Sequence, residues 1–257
     1  MKNETLISFR GVSKTYKGDF LGKANTALHD LSLEIKAGEI LGIIGRNGAG
    51  KSTTLKILLG FIRHDSGEVC LKGLPPSEPA AHEQLGYLPE SPCLYENLTV
   101  TEQLKFAARV SGLSAKEAKG AIKRVLDRMD LAQAANIPLR KFSKGMTQRA
   151  AIAFALIHEP DILILDEPMS GLDPLGRQLV VDIVHDYHQQ GKTVLFCSHI
   201  LSDVERICTR IGIMNRGRLV ADMRPEALPP TAESSTDKSP LESFFLTTIA
   251  HDREEKG

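Results

Sequence analysis

The stretch "ILGIIGRNGAGKSTTLKILLG", residues 40–60, decides the fold. Residues 40–44 are apolar without polar alternation, the pattern of a short strand covered on both faces, as in a parallel sheet. "GRNGAGKST", 45–53, then fits GxxxxGK[ST], and "TLKILLG" reads as a helix. Strand, glycine loop and helix start in that order make a cradle for phosphate. The glycines let successive backbone N–H groups turn inward, and the helix start adds the positive end of its dipole. Gly45, Asn47, Gly48, Gly50, Lys51, Ser52 and Thr53 are the expected phosphate-binding residues. Lys51 is placed to reach the β- and γ-phosphates, and the Ser52 hydroxyl to ligate Mg²⁺.

A second anchor is "DILILDEP", 161–168. Its apolar run carries the chain through a sheet and delivers Asp166 and Glu167 at the carboxyl edge, where α/β sheets hold their ligands. Asp166 suits the Mg²⁺ shell. Glu167 suits a general base that polarises the water attacking the γ-phosphate.

Further glycine-punctuated apolar runs, "EVCLKG" (68–73), "TVLFCS" (193–198) and "RIGIMNRGRLV" (210–220), read as strands of the same doubly covered kind. The last one turns at "NRG" and predicts a hairpin. Between about 97 and 160 the texture is helical. "TVTE" (99–102) and "SAKE" (114–117) match capping boxes on Thr99 and Ser114. After the second, Ile122, Val125, Leu126 and Met129 form an amphipathic stripe. Pro174 opens a helix over 175–190, with Leu175, Leu179, Val180, Ile183 and Val184 expected inward. Residues 229–240, rich in Pro, Ser and Thr, read as a flexible linker. A short docking helix and tail follow over 241–257, with Leu241, Phe244, Phe245 and Ile249 on one face.

The 257 residues hold 32 Lys and Arg against 32 Asp and Glu, so the balance carries no footprint of nucleic-acid binding. Cys70, Cys93, Cys197 and Cys208 have no CxxC spacing and read as reduced, incidental thiols. "MKNETLISFR" lacks the apolar segment of a signal peptide, and no apolar run nears the ~18 residues of a membrane span. The expectation is a cytosolic protein whose membrane role comes through a partner.

Three more elements make the chain resemble the ATP-binding cassette (ABC) ATPases. "SGLDP" (170–174) matches that family's D-loop, "CSH" (197–199) its switch histidine, and "FSKGMTQR" (142–149) stands where the family carries its signature. The resemblance implies an α/β fold: a P-loop NTPase (RecA-like) core with a parallel sheet, an N-terminal antiparallel β-subdomain and an α-helical signature subdomain. One ATPase domain would cover 1–228. The resemblance also assigns roles. His199 would hold the γ-phosphate and the attacking water. Tyr16 would stack on adenine, with Phe20 a competitor. Ser143 and Gly145 would offer a hydroxyl and an N–H to the nucleotide of a second cassette. Asp173 would cross that dimer interface, and before Pro174 it also reads as a helix cap. Glu90 in "GYLPESP" (86–92) occupies the place of the family's Mg²⁺-contacting glutamine. Leu94 and Tyr95 would line the groove for a membrane subunit's coupling helix. In the signature, Phe142, Lys144 and Met146 depart from the usual Leu-Ser-Gly-Gly-Gln.

"GYLPE", "SKGM.QR" and "LESFFL" resemble the ABC-2-type branch that powers bacterial export. The implied protein is an ATPase using ATP and Mg²⁺ at the cytoplasmic face of the membrane. Its implied partners are a transmembrane permease on a separate chain and a second cassette, a copy or a paralogue. An importer ATPase is the alternative within transport. A DNA-repair or ribosome-associated ABC ATPase is the alternative outside it, disfavoured by the neutral charge and the absence of long insertions.

Overall fold

The computed structural model describes residues 4–17, 24–229 and 239–254. Phe20 and most of the expected linker lie outside the described residues. In chain order the main elements are β1 (Thr5–Tyr16), β2 (Asn25–Lys36), β3 (Ile40–Ile44), α1 (Lys51–Leu58), β4 (Ser66–Leu71), β5 (Leu85–Leu88), α2 (Val100–Val110), α3 (Ala115–Arg128) and α4 (Lys144–Leu156). There follow β6 (Ile162–Asp166), α5 (Pro174–Gln189), β7 (Thr193–Ser198), α6 (Leu201–Ile207), β8 (Arg210–Asn215), β9 (Arg218–Met223) and α7 (Pro240–Glu254). The chain folds as two compact units, Gln84–Val194 and the flanking segments Met1–Glu83 with Leu195–Gly257.

In the flanking unit, β1 pairs antiparallel with β2 (Ile7 opposite Ile35) and with β4 (Ile7 opposite Leu71). Ile7 and Phe9 on β1 and Leu31, Leu33 and Ile35 on β2 are buried at a spacing of two, one face of a pleated sheet. This corrects the reading of "EVCLKG". β4 is no doubly covered parallel strand: only Val69 and Leu71 are fully buried, because the sheet covers one face alone. β3 is buried throughout and runs parallel to β8, from Leu41 opposite Arg210 to Ile44 opposite Ile213. β8 returns antiparallel as β9 through Arg216 and Gly217 at φ 46° and 78°, the two positive angles of a type I′ hairpin turn. α7 packs on α6, β8 and β9 with Leu241 and Ile249 buried.

In the unit Gln84–Val194, β5 runs parallel to β6, and β6 is buried along its whole length. Both capping boxes form: the Thr99 and Ser114 hydroxyls accept from the N–H of Glu102 and Glu117, whose carboxylates accept in return. The stripe on α3 is buried as expected, with Met129 beyond its end. On α5, Val180, Ile183 and Val184 are buried, but Leu175 is 81% exposed. At 100° per residue Leu175 stands about 140° round the helix from Val180, and Gly176 holds the inward position instead.

Candidate nucleotide site

The phosphate loop leaves β3 beside the end of β8, since the strand register ends at Ile44 and Ile213. A Cβ at Gly45 would stand 2.5 Å from the Met214 carbonyl oxygen, so only glycine lets the loop pass there. Gly50 has φ 110° and caps α1 with no side-chain hydrogen bond. The N–H groups of Lys51, Ser52 and Thr53 therefore lack intrahelical acceptors and face outward from the helix end, an anion site by geometry. Lys51 is 7% exposed, and its ammonium donates to the Gly45 carbonyl at 2.6 Å. That holds the cation over the loop. The Tyr16 hydroxyl lies 3.4 Å from the Thr53 Oγ1, so the aromatic at the end of β1 leans over the same helix start. His199 is exposed just past the last residue of β7.

The unit Gln84–Val194 carries the acidic residues. Asp166 ends β6, and Asp166 and Glu167 are only 5% and 8% exposed. Glu167 holds φ 51°, a left-handed conformation that costs a non-glycine residue about 1–3 kcal/mol and clusters at functional sites. Glu90 is exposed beyond β5. Ser143 caps α4, its hydroxyl accepting from the Met146 N–H at 3.2 Å. Asp173 caps α5 through the Gly176 N–H at 2.8 Å, so the cap reading of Asp173 holds within one chain. The Lys144 stem lies along the "SGLDP" segment: a Cβ at Gly171 would meet its Cε at 2.6 Å.

Two contributors were not evident in the sequence. Buried Gln148 donates to the Pro168 carbonyl at 3.1 Å and ties α4 to the turn after Glu167. Its position in "FSKGMTQR" was the available signal. The Asn215–Arg218 turn supports the loop, with the Gly217 N–H donating to the Ala49 carbonyl at 2.9 Å. No local sequence pattern announces that contact.

The ABC transporter family model matches residues 28–170, more than half the chain. The chain belongs to the ABC transporter family. It is 44% identical over 212 residues to an uncharacterized ABC transporter ATP-binding protein of Synechocystis, covering 81% of this chain and 60% of that one. The chain thus spans about 60% of the length of that ABC relative. It is 38% identical to Nod factor export ATP-binding protein I of Burkholderia orbicola, covering 86% and 72%. A dimeric, post-hydrolysis ATP-binding cassette bound to ADP and Pi superposes with a TM-score of 0.78 at 25% identity, covering 85% of this chain and 98% of that one. The fold is that of the ABC ATPase cassettes. Among the described residues no helix is long and apolar enough to cross a membrane.

Proposed function

We propose that this ABC chain binds and hydrolyses ATP to drive export through a membrane subunit on a separate chain, closing as a dimer on nucleotide. The observation that carries the reading is the uncapped start of α1 under a buried lysine. Such an end favours an anion with several oxygens, and the loop N–H groups with Lys51 suit the β- and γ-phosphates. Tyr16 suits stacking on the base. Glu167, buried and held at its strained φ, suits the general base, and His199 the grip on the γ-phosphate.

Mg²⁺ fits the donor set. A hydroxyl at Ser52 and a carboxylate at Asp166 are the hard oxygens that cation prefers, and Glu90 adds a further carboxylate. Bound there, the ion supplies charge neutralisation to the triphosphate. Ser143 and Gly145 at the start of α4 suit the nucleotide of the second cassette in a two-fold dimer. The export direction is supported by likeness to the Nod factor export protein. The Glu167→Gln chain tests the reading: it should bind Mg·ATP, lose turnover and run as a dimer in light scattering. Sustained turnover with a monomer only would sink it.

A further inference from the structure

The C-terminal helix reaches the turn beneath the phosphate loop through a buried hydrogen bond. Asn215, 7% exposed, donates its side-chain N–H to the Asp252 carboxylate on α7 at 2.6 Å, and Asp252 is itself 8% exposed. Asn215 is the first residue of the turn that supports the loop. Beyond it, the Gly217 N–H donates to the Ala49 carbonyl at 2.9 Å, and the Gly217 carbonyl accepts from the His29 N–H at 2.8 Å. Before it, Met214 lies against Gly45 and Gly50, and its sulfur accepts from the Thr54 hydroxyl at 3.8 Å. Gly45, Ala49 and Gly50 of the loop and Thr54 of α1 therefore rest on Met214 and Gly217, and α7 holds Asn215 between those two.

We infer that Asp252 is a positioning residue for nucleotide binding: through Asn215 it sets the height of the 214–217 turn under the phosphate loop. A cradle of backbone N–H groups loses affinity when its donors move by fractions of an ångström, so its floor must be rigid. The turn is a two-residue hairpin with positive φ at Arg216 and Gly217, and the Arg216 side chain is exposed. A buried amide bonded to a buried carboxylate adds a side-chain restraint to the backbone bonds of Gly217, since an unmade bond there leaves a polar group without water. The docking of α7 also depends on Leu241 and Ile249, so the helix has a packing role besides this one.

The inference rests on residues 45–53 being the nucleotide loop, and Lys51→Ala separates the two. The measurement is the affinity of the full-length chain for Mg·ATP in the Glu167→Gln background, by titration calorimetry, beside its Tm. Asp252→Ala and Asn215→Ala should each weaken binding about three- to tenfold, one lost hydrogen bond at tenfold per 1.4 kcal/mol. The double variant should be no weaker than either single. Asp252→Asn, which keeps an acceptor oxygen, should bind within about twofold of the parent. A folded Asp252→Ala chain with lower Tm and parental affinity overturns the inference and leaves α7 a packing element. If Asp252→Ala does not fold, the exchange N215D/D252N decides. Affinity regained over N215D alone supports the inference, because donor and acceptor are swapped but both present. No gain overturns it. Should Lys51→Ala itself bind at parental strength, the nucleotide-loop reading fails first.

Discussion

The starts of α1 and α4 are both helix N-termini assigned to phosphate, and they are built in opposite ways. α4 carries its own cap in the Ser143 hydroxyl, as α2, α3 and α5 do in Thr99, Ser114 and Asp173. α1 begins at Gly50 with no side-chain cap, under a buried ammonium. Against a side-chain cap a glycine start costs roughly a few tenths of a kcal/mol, and α1 bears that cost. A helix start without a side-chain cap, which α6 shares, leaves its orphan N–H groups open to a ligand, and at α1 the glycine loop and buried Lys51 stand beside them. A capped one holds its shape alone and can meet a ligand as an accessory. The difference fits a site in which α1 binds nucleotide in the single chain and α4 joins only in the dimer.

The largest expected effect lies outside both helices. Glu167→Gln should cut ATP turnover by roughly 10²–10⁴, the range general-base catalysis spans, while leaving affinity for Mg·ATP. Single-turnover assays with equilibrium binding separate the two. Lys51→Ala should weaken Mg·ATP binding by about 10–100-fold, the worth of one charged hydrogen bond at 1.5–3 kcal/mol. Unchanged affinity in calorimetry would remove the distinction between the two helix starts. Ser143→Ala should lower stability by about 1 kcal/mol in urea denaturation, leave monomer binding within about twofold, and weaken ATP-driven dimerisation. A large loss of monomer binding would mean α4 serves the nucleotide within one chain.

The smallest effect concerns the far end of α4. Burial holds the pKa of His158 below its ordinary value; a hydrogen bond that the ring donates to the Leu85 backbone carbonyl opposes this, and the nearby Lys192 adds to it. Its Nδ1 is buried with no hydrogen-bond partner among the described residues. The unfolded chain therefore takes the proton more readily. The stability tied to neutral His158 is complete above the ordinary value and is lost as pH falls toward the lowered one. Tm should fall slightly between pH 7 and 5, and less so in His158→Gln. Equal slopes in differential scanning would show that burial there is not felt.

Much of this was legible in the chain. Short-range chemistry was clearest: "GRNGAGKST" dictates its loop because glycine spacing and the lysine act within a few residues. The capping boxes and the "NRG" turn are equally local. Strand partners were less legible. "EVCLKG" and "DILILDEP" look alike as apolar runs, yet one lies in a half-covered antiparallel sheet and the other is buried throughout. Which faces are covered depends on neighbours far along the chain. On α5 the count of apolar residues placed Leu175 inward, whereas the helical phase set by Val180 and Val184 put Gly176 there.

By itself, the sequence determined where a glycine loop joins a strand to a helix start, which carboxylates follow a buried strand, and that Thr99, Ser114 and Asp173 cap helices. All of these depend on residues within about one helical turn of each other. Tertiary structure alone decided that Lys51 is sequestered over its loop, that Gln148 holds the segment after Glu167, and that Asp252 stands behind Asn215. Those contacts join positions 20 to 37 residues apart or need burial by distant elements. Burial sets the worth of a polar contact, and burial belongs to the folded chain rather than to any local word in it.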